Sequence, residues 1–127
     1  MRIKNTVLMT TLALALGAAS LSQSAFASKV GVAMPNLVVP RWQTDGQTLK
    51  NKLEEEGYEV ELVFADNKPE TQIQELRQMM DSGCEVLVIV PVDGKSLTEV
   101  LSEVKAKNIP VISYDRLAVD GLDCLYF

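Results

Sequence analysis

Asn108-Ile109-Pro110-Val111-Ile112-Ser113-Tyr114-Asp115-Arg116 begins as a short apolar run and ends in an acid and a base side by side. Such a run is typical of a strand buried on both faces of a sheet. In an open α/β sheet, ligands sit beyond the carboxyl ends of the strands. Asp115 and Arg116 stand at that position. An acceptor next to a planar five-donor fork suits a molecule made mostly of hydroxyls. The same two residues also read as a solvated turn with no ligand, because loops at strand ends are polar in general.

The pattern upstream of this stretch repeats. Val30 to Met34 is a compact apolar strand, ended by Pro35. A loop, Asn36 to Pro40, leads to Arg41-Trp42 and a helix running to Glu56, with Trp42, Leu49 and Leu53 on one face. Gly57 is its C′ residue. Glu59 to Ala65 alternates and then turns wholly apolar, as an edge strand of a parallel sheet does. Asp66 to Pro69 is a turn into a second helix, whose stripe is Ile73, Leu76, Met79 and Met80, with Gly83 as its stop. Val86 to Val90 is the most apolar run after the leader and reads as the central strand. Ser96 and Glu99 have capping-box spacing for a third helix, with Leu97, Val100, Leu101 and Val104 as its buried stripe. Leu117 to Cys124 is a connection, and Leu125-Tyr126-Phe127 starts another strand.

Strand, helix, strand, helix, strand, helix, strand, strand is the order of an α/β fold. Right-handed crossovers make it a doubly wound parallel sheet with flanking helices. The loop after the first strand borders the switch point of such a sheet. Arg41, Trp42, Asp115 and Arg116 are therefore expected on one rim. There, a Trp face covers the C–H patch of a sugar ring while Arg and Asp bond its hydroxyls. The alternative for Trp42 is an aromatic packed on the core at a helix start.

Composition narrows the function classes. Residues 1–27 read as a secretory signal peptide: Arg2 and Lys4 open it, Val7 to Leu21 is its apolar core, and Ala25-Phe26-Ala27 is the cleavage pattern. The apolar core is shorter than the roughly 20 residues a membrane span needs. Residues 28–127 are then one small domain in an exported, periplasmic chain. Without Arg2 and Lys4 the chain keeps 10 basic and 17 acidic residues, a net charge of −7. An acidic domain without a basic stripe argues against nucleic acid. With no His in the sequence, the Ser-His-Asp and Cys-His nucleophile pairs are absent. No Gly-rich phosphate loop is present either. Asp66, Asp93 and Asp115 each follow a strand, but the first two fit turns better than a metal site. Cys84 and Cys124 fall near the starts of strands with a third strand between them, about 10 Å apart by strand spacing. A disulfide needs Cα atoms within about 7 Å, so free, partly buried thiols are expected.

The pieces VGVAMPN, PRWQTDG, TQIQELRQMMDSG, VLVIVPVDG and IPVISYDRL resemble the N-terminal part of periplasmic sugar-binding proteins of ABC importers, in the xylose-binding and multiple-sugar-binding branch. The resemblance implies a type I periplasmic-binding-protein fold, of which this chain covers an incomplete N-terminal lobe. It implies a monosaccharide clamped between two lobes, with Arg41, Asp115 and Arg116 bonding the pyranose and Trp42 lining the cleft. It further implies a monomer that docks to a membrane permease, with no enzyme activity, cofactor or metal. A sugar-presenting sensory protein for a chemoreceptor or sensor kinase fits the same resemblance. The effector core of a transcription repressor fits less well, because a signal peptide stands where a basic helix-turn-helix belongs. A small flavodoxin-like enzyme lacks its phosphate motif. Half a cleft makes few simultaneous contacts, so the chain alone is expected to bind sugar negligibly.

Overall fold

The computed structural model describes residues 28–116 and 124–126. The expected signal peptide, its cleavage site and most of the 117–124 connection lie outside the described residues. Five strands form one parallel sheet: β1 (Lys29–Met34), β2 (Glu59–Phe64), β3 (Val86–Ile89), β4 (Val111–Ser113) and β5 (Cys124–Tyr126). Their order is β2-β1-β3-β4-β5, so β3 is central and β2 is an edge. Three helices connect them: α1 (Pro40–Glu55), α2 (Pro69–Asp81) and α3 (Thr98–Ala106). Strand order reverses between β1 and β3, which makes that gap the switch point.

The helix ends follow local chemistry. α1 and α2 each start with a proline in the first turn, where the missing N–H costs nothing. Gly57 and Gly83 follow the two C-caps with φ of +92° and +87°, a region open to glycine. Asp66 and Asn67 turn the chain into α2 in the left-handed region, which short polar side chains tolerate. The capping box of α3 does not form. Leu97 occupies the N-cap with no side-chain bond, and Ser96 Oγ donates instead to Asp93 Oδ2. The Asp93 carboxylate is a charged acceptor already within the turn, and Leu97 is drawn inward to full burial.

Alternation along the strands sorts the core into two clusters. On one face Ala33, Leu87, Ile89 and Val111 meet Leu76 and Met79 of α2 and Val100, Leu101 and Val104 of α3. On the other, Val30, Val32, Met34, Val60, Val88 and Val90 meet Trp42 of α1, with Leu49, Leu53, Ile112 and Tyr114 partly buried. Leu49 and Leu53 thus sit at the margin of the core rather than within it. They line a groove of about 460 Å³ together with Val30, Tyr58, Val86, Val88, Ile112 and Tyr114.

Cys84 carries a free, buried thiol, and burial pushes its pKa up. Cys124 opens β5, and β4 lies between the two positions as expected; the Cys124 side chain is outside the described residues. At this amino end of the sheet Lys29 Nζ lies 3.0 Å from Glu61, which also accepts a 2.7 Å bond from Ser82 Oγ. Partial burial works against the Glu61 charge, but these bonds hold its carboxyl below the usual range.

Candidate functional site

Three chain segments leave the carboxyl ends of β1, β3 and β4 and meet at one lip. The first is the loop 35–39 with the start of α1. The buried Asn36 shapes it: its Oδ1 accepts the Val39 N–H at 2.9 Å, and its Nδ2 donates to Asn67 Oδ1 at 2.7 Å. The loop tip exposes Leu37, Val38 and Val39. The first turn of α1 then presents Arg41 and Trp42.

The third segment closes on the first. At its centre Asp115 has φ of +62°, and the Arg116 N–H bonds back to the Tyr114 carbonyl at 2.7 Å, a γ-type reversal. Ser113 Oγ donates to the Arg116 carbonyl at 2.6 Å and ties the turn to the strand end. The reversal turns the Asp115 carboxylate toward α1. Arg41 Nη2 donates to Asp115 Oδ1 at 2.7 Å, although 74 positions separate the two residues. Arg41 Nε donates to Asp45, one turn along α1, at 3.3 Å. Tyr114 Oη donates to the same Asp45 carboxylate at 3.1 Å. The bond to Asp115 is the largest of the effects that raise the Arg41 pKa, with Tyr114 and Asp45 adding to it.

Both guanidinium groups lie over the indole. The Arg41 Cζ is 4.8 Å from the centre of the Trp42 ring and the Arg116 Cζ is 5.5 Å from it. These are cation–π distances. Arg116 Nη1 also donates to the Pro91 carbonyl at 3.3 Å, which brings the β3–α3 loop into the lip. Trp42 itself is only 4% exposed. Its ring is packed into the α1-face core and roofed by the two arginines. The indole is a platform beneath the polar groups, packed on the core at the helix start as the alternative reading of Trp42 has it.

The lip thus unites the four residues singled out from sequence, Arg41, Trp42, Asp115 and Arg116. It adds two groups that sequence reasoning did not name, Asp45 and the Pro91 carbonyl. Asp45 was signalled by its i, i+4 spacing from Arg41, the spacing of helical ion pairs. The Pro91 carbonyl had no local signal. Among the described residues no group of three or more Cys, Asp or Glu side chains is arranged to hold a metal ion.

Residues 30–127 match the family described as periplasmic binding protein domain. The chain belongs to that family. Similar relatives of this periplasmic binding protein domain include the D-xylose-binding periplasmic protein of Escherichia coli K12. It is 36% identical over 121 residues, which is 95% of this chain and 36% of that protein. The multiple sugar-binding periplasmic receptor ChvE of Rhizobium radiobacter is also 36% identical, over 87% of this chain and 32% of its own length. Among solved structures, an ABC transporter solute-binding protein from Clostridium phytofermentans with bound β-D-glucose superimposes with a TM-score of 0.74. It shares 42% identity and covers 78% of this chain and 31% of the other. The chain spans about a third of the length of the relatives it matches.

Proposed function

We propose that this chain forms one wall of a sugar cleft in the substrate-binding component of an ABC-type importer. The observation that carries the reading is the convergence of Arg41 and Arg116 on one indole, with Asp115 bridging to Arg41. Fixed donors and a carboxylate acceptor, closely spaced over an apolar base, match the alternating hydroxyls of a pyranose. Two guanidinium groups face two carboxylates, those of Asp45 and Asp115, so the lip is close to charge-neutral. That balance favours an uncharged monosaccharide such as xylose, galactose or glucose over a sugar acid or sugar phosphate. Its relatives, named for xylose and multiple-sugar binding, support the same class.

In this role the protein does no covalent chemistry. It acts by closing on its ligand and docking to a membrane permease. It works in the periplasm after removal of residues 1–27. Mass spectrometry of the exported chain then finds Ser28 at the N-terminus, and retention of the leader contradicts this.

A sensory role, presenting sugar to a receptor or sensor kinase, is the second reading; a relative named as a receptor at 36% identity favours it. Deleting the gene separates the two: loss of sugar uptake marks transport, and loss of sugar response with uptake intact marks sensing.

The binding test is thermal. A neutral aldose at roughly ten times its Kd stabilises the chain by about 1.4 kcal/mol. The shift vanishes in Arg116→Ala and is absent with glucuronate. A chain that glucuronate stabilises as much as a neutral aldose contradicts the proposal.

A further inference from the structure

Gln72 is a polar side chain with no solvent contact at all. It lies in the first turn of α2, on the face of the sheet away from α1. Its Nε2 donates to the Val90 carbonyl at 3.0 Å, and its Oε1 accepts the Val92 N–H at 2.9 Å. The two bonds fix the amide orientation, since each end has only one workable partner. They also bracket Pro91 on both sides. Pro91 has no N–H of its own, and its carbonyl is the group that accepts Arg116 Nη1 at 3.3 Å. Arg116 in turn lies over Trp42.

We propose that Gln72 is a positioning residue for the lip: by clamping Val90 and Val92 it aims the Pro91 carbonyl, which holds the Arg116 guanidinium over the indole. Its meaning for sugar recognition rests on the function proposed above. The coupling itself rests only on the geometry. It links the buried Gln72 of α2, behind the sheet, to the Arg116 guanidinium at the lip.

The single Trp of the chain is the reporter. Removing Arg116 uncovers its ring, so Arg116→Ala raises acrylamide quenching of Trp42 and shifts its emission to the red. Gln72→Met keeps the length of the side chain and removes both hydrogen bonds. It produces the same rise and the same red shift. In the double variant Gln72→Met with Arg116→Ala there is no further change, because both act through one guanidinium. Gln72→Met combined with Arg41→Ala gives additive changes, since Arg41 is held by Asp45 and Asp115 instead. Should Gln72→Met fail to fold, Gln72→Glu keeps an acceptor for the Val92 N–H and follows the same non-additive pattern with Arg116→Ala.

Additivity between Gln72 and Arg116, or a Gln72 variant with unchanged quenching, overturns the proposal. Intact coupling in a chain that does not respond to sugar upholds the positioning role and rejects only the reading of the ligand.

Discussion

On one side of the sheet α2 and α3 lie together over Leu87, Ile89 and Val111, and Leu76, Met79, Leu101 and Val104 are sealed from solvent. On the other side, among the described residues, α1 alone covers the strands, and Leu49, Leu53, Ile112 and Tyr114 border an apolar groove of about 460 Å³. The difference separates two tasks. The α2–α3 face holds the fold together by close packing. The α1 face is less filled, and it leads directly to the lip, because Trp42 and Tyr114 belong both to its core and to the polar network. On the proposed reading of the lip, stability and recognition are weighted to opposite sides of one sheet. Gln72 is a place where the first reaches through to the second.

The largest expected effect is a core truncation on the sealed face. Leu101→Ala costs about 2–5 kcal/mol in urea unfolding, the range for a buried leucine. Leu53→Ala, at the groove margin, costs roughly 1 kcal/mol or less because solvent already reaches it. Equal losses would break the comparison.

Glycines sharpen it next. A Cβ on Gly31 would lie 2.6 Å from Met79 Sδ and 2.8 Å from Leu87 Cδ2. Gly31→Ala therefore overpacks the sealed face by about 1–3 kcal/mol. A Cβ on Gly46, which lets α1 approach the sheet, would meet Leu62 at 3.0 Å and Met34 at 3.2 Å. Gly46→Ala costs less in the same unfolding measurement, since α1 has room to give.

Much of this architecture was readable in advance. The Val-rich runs at 30–34 and 86–90 marked buried parallel strands, and Pro69, Gly57 and Gly83 marked helix ends through backbone chemistry that needs no tertiary context, whereas Pro40, read as loop, proves to be the first residue of α1. The rim rule placed Arg41 and Asp115 together despite their separation. The missed features are non-local. Ser96 had the spacing of a cap, but a carboxylate three residues earlier competed for its hydroxyl. Gln72 looked like any polar helix residue, because its partners are loop backbone atoms at 90 and 92 whose approach only the packed sheet determines. The left-handed turn at Asp115 was equally hidden, since Asp adopts that conformation only where surrounding bonds demand it.

A smaller effect belongs to α2 itself. Glu75 Oε2 is buried with no hydrogen-bond partner among the described residues, and burial pushes this carboxyl from 4.5 up to about 7. The folded chain then keeps a proton that the unfolded chain has released. Stability falls as pH rises from about 4.5 to about 7 and levels off above. Glu75→Gln removes that slope and, allowing for solvent screening, stabilises the chain at alkaline pH by roughly 1–2 kcal/mol. Unfolding titrations across pH check both points.

The smallest effect on stability is at the lip. The Arg41–Asp115 pair is half exposed on its arginine side, so Asp115→Asn changes unfolding by roughly 0.5 kcal/mol or less. Its effect on recognition is expected to be far larger, because it releases Arg41 from the strand-end turn. A stability loss like that of Leu101→Ala would show the lip to be structural.

The most direct test is amide and indole NMR of the chain during titration with D-xylose and D-glucose. With one wall of a cleft, binding on the order of millimolar or weaker is expected. Signals of Arg41, Trp42, Asp115 and Arg116 move together with saturation, while those of Lys29, Glu61 and Cys84 at the opposite end stay fixed. Movement confined to the amino end, or a lip that stays silent at every sugar concentration, contradicts the account.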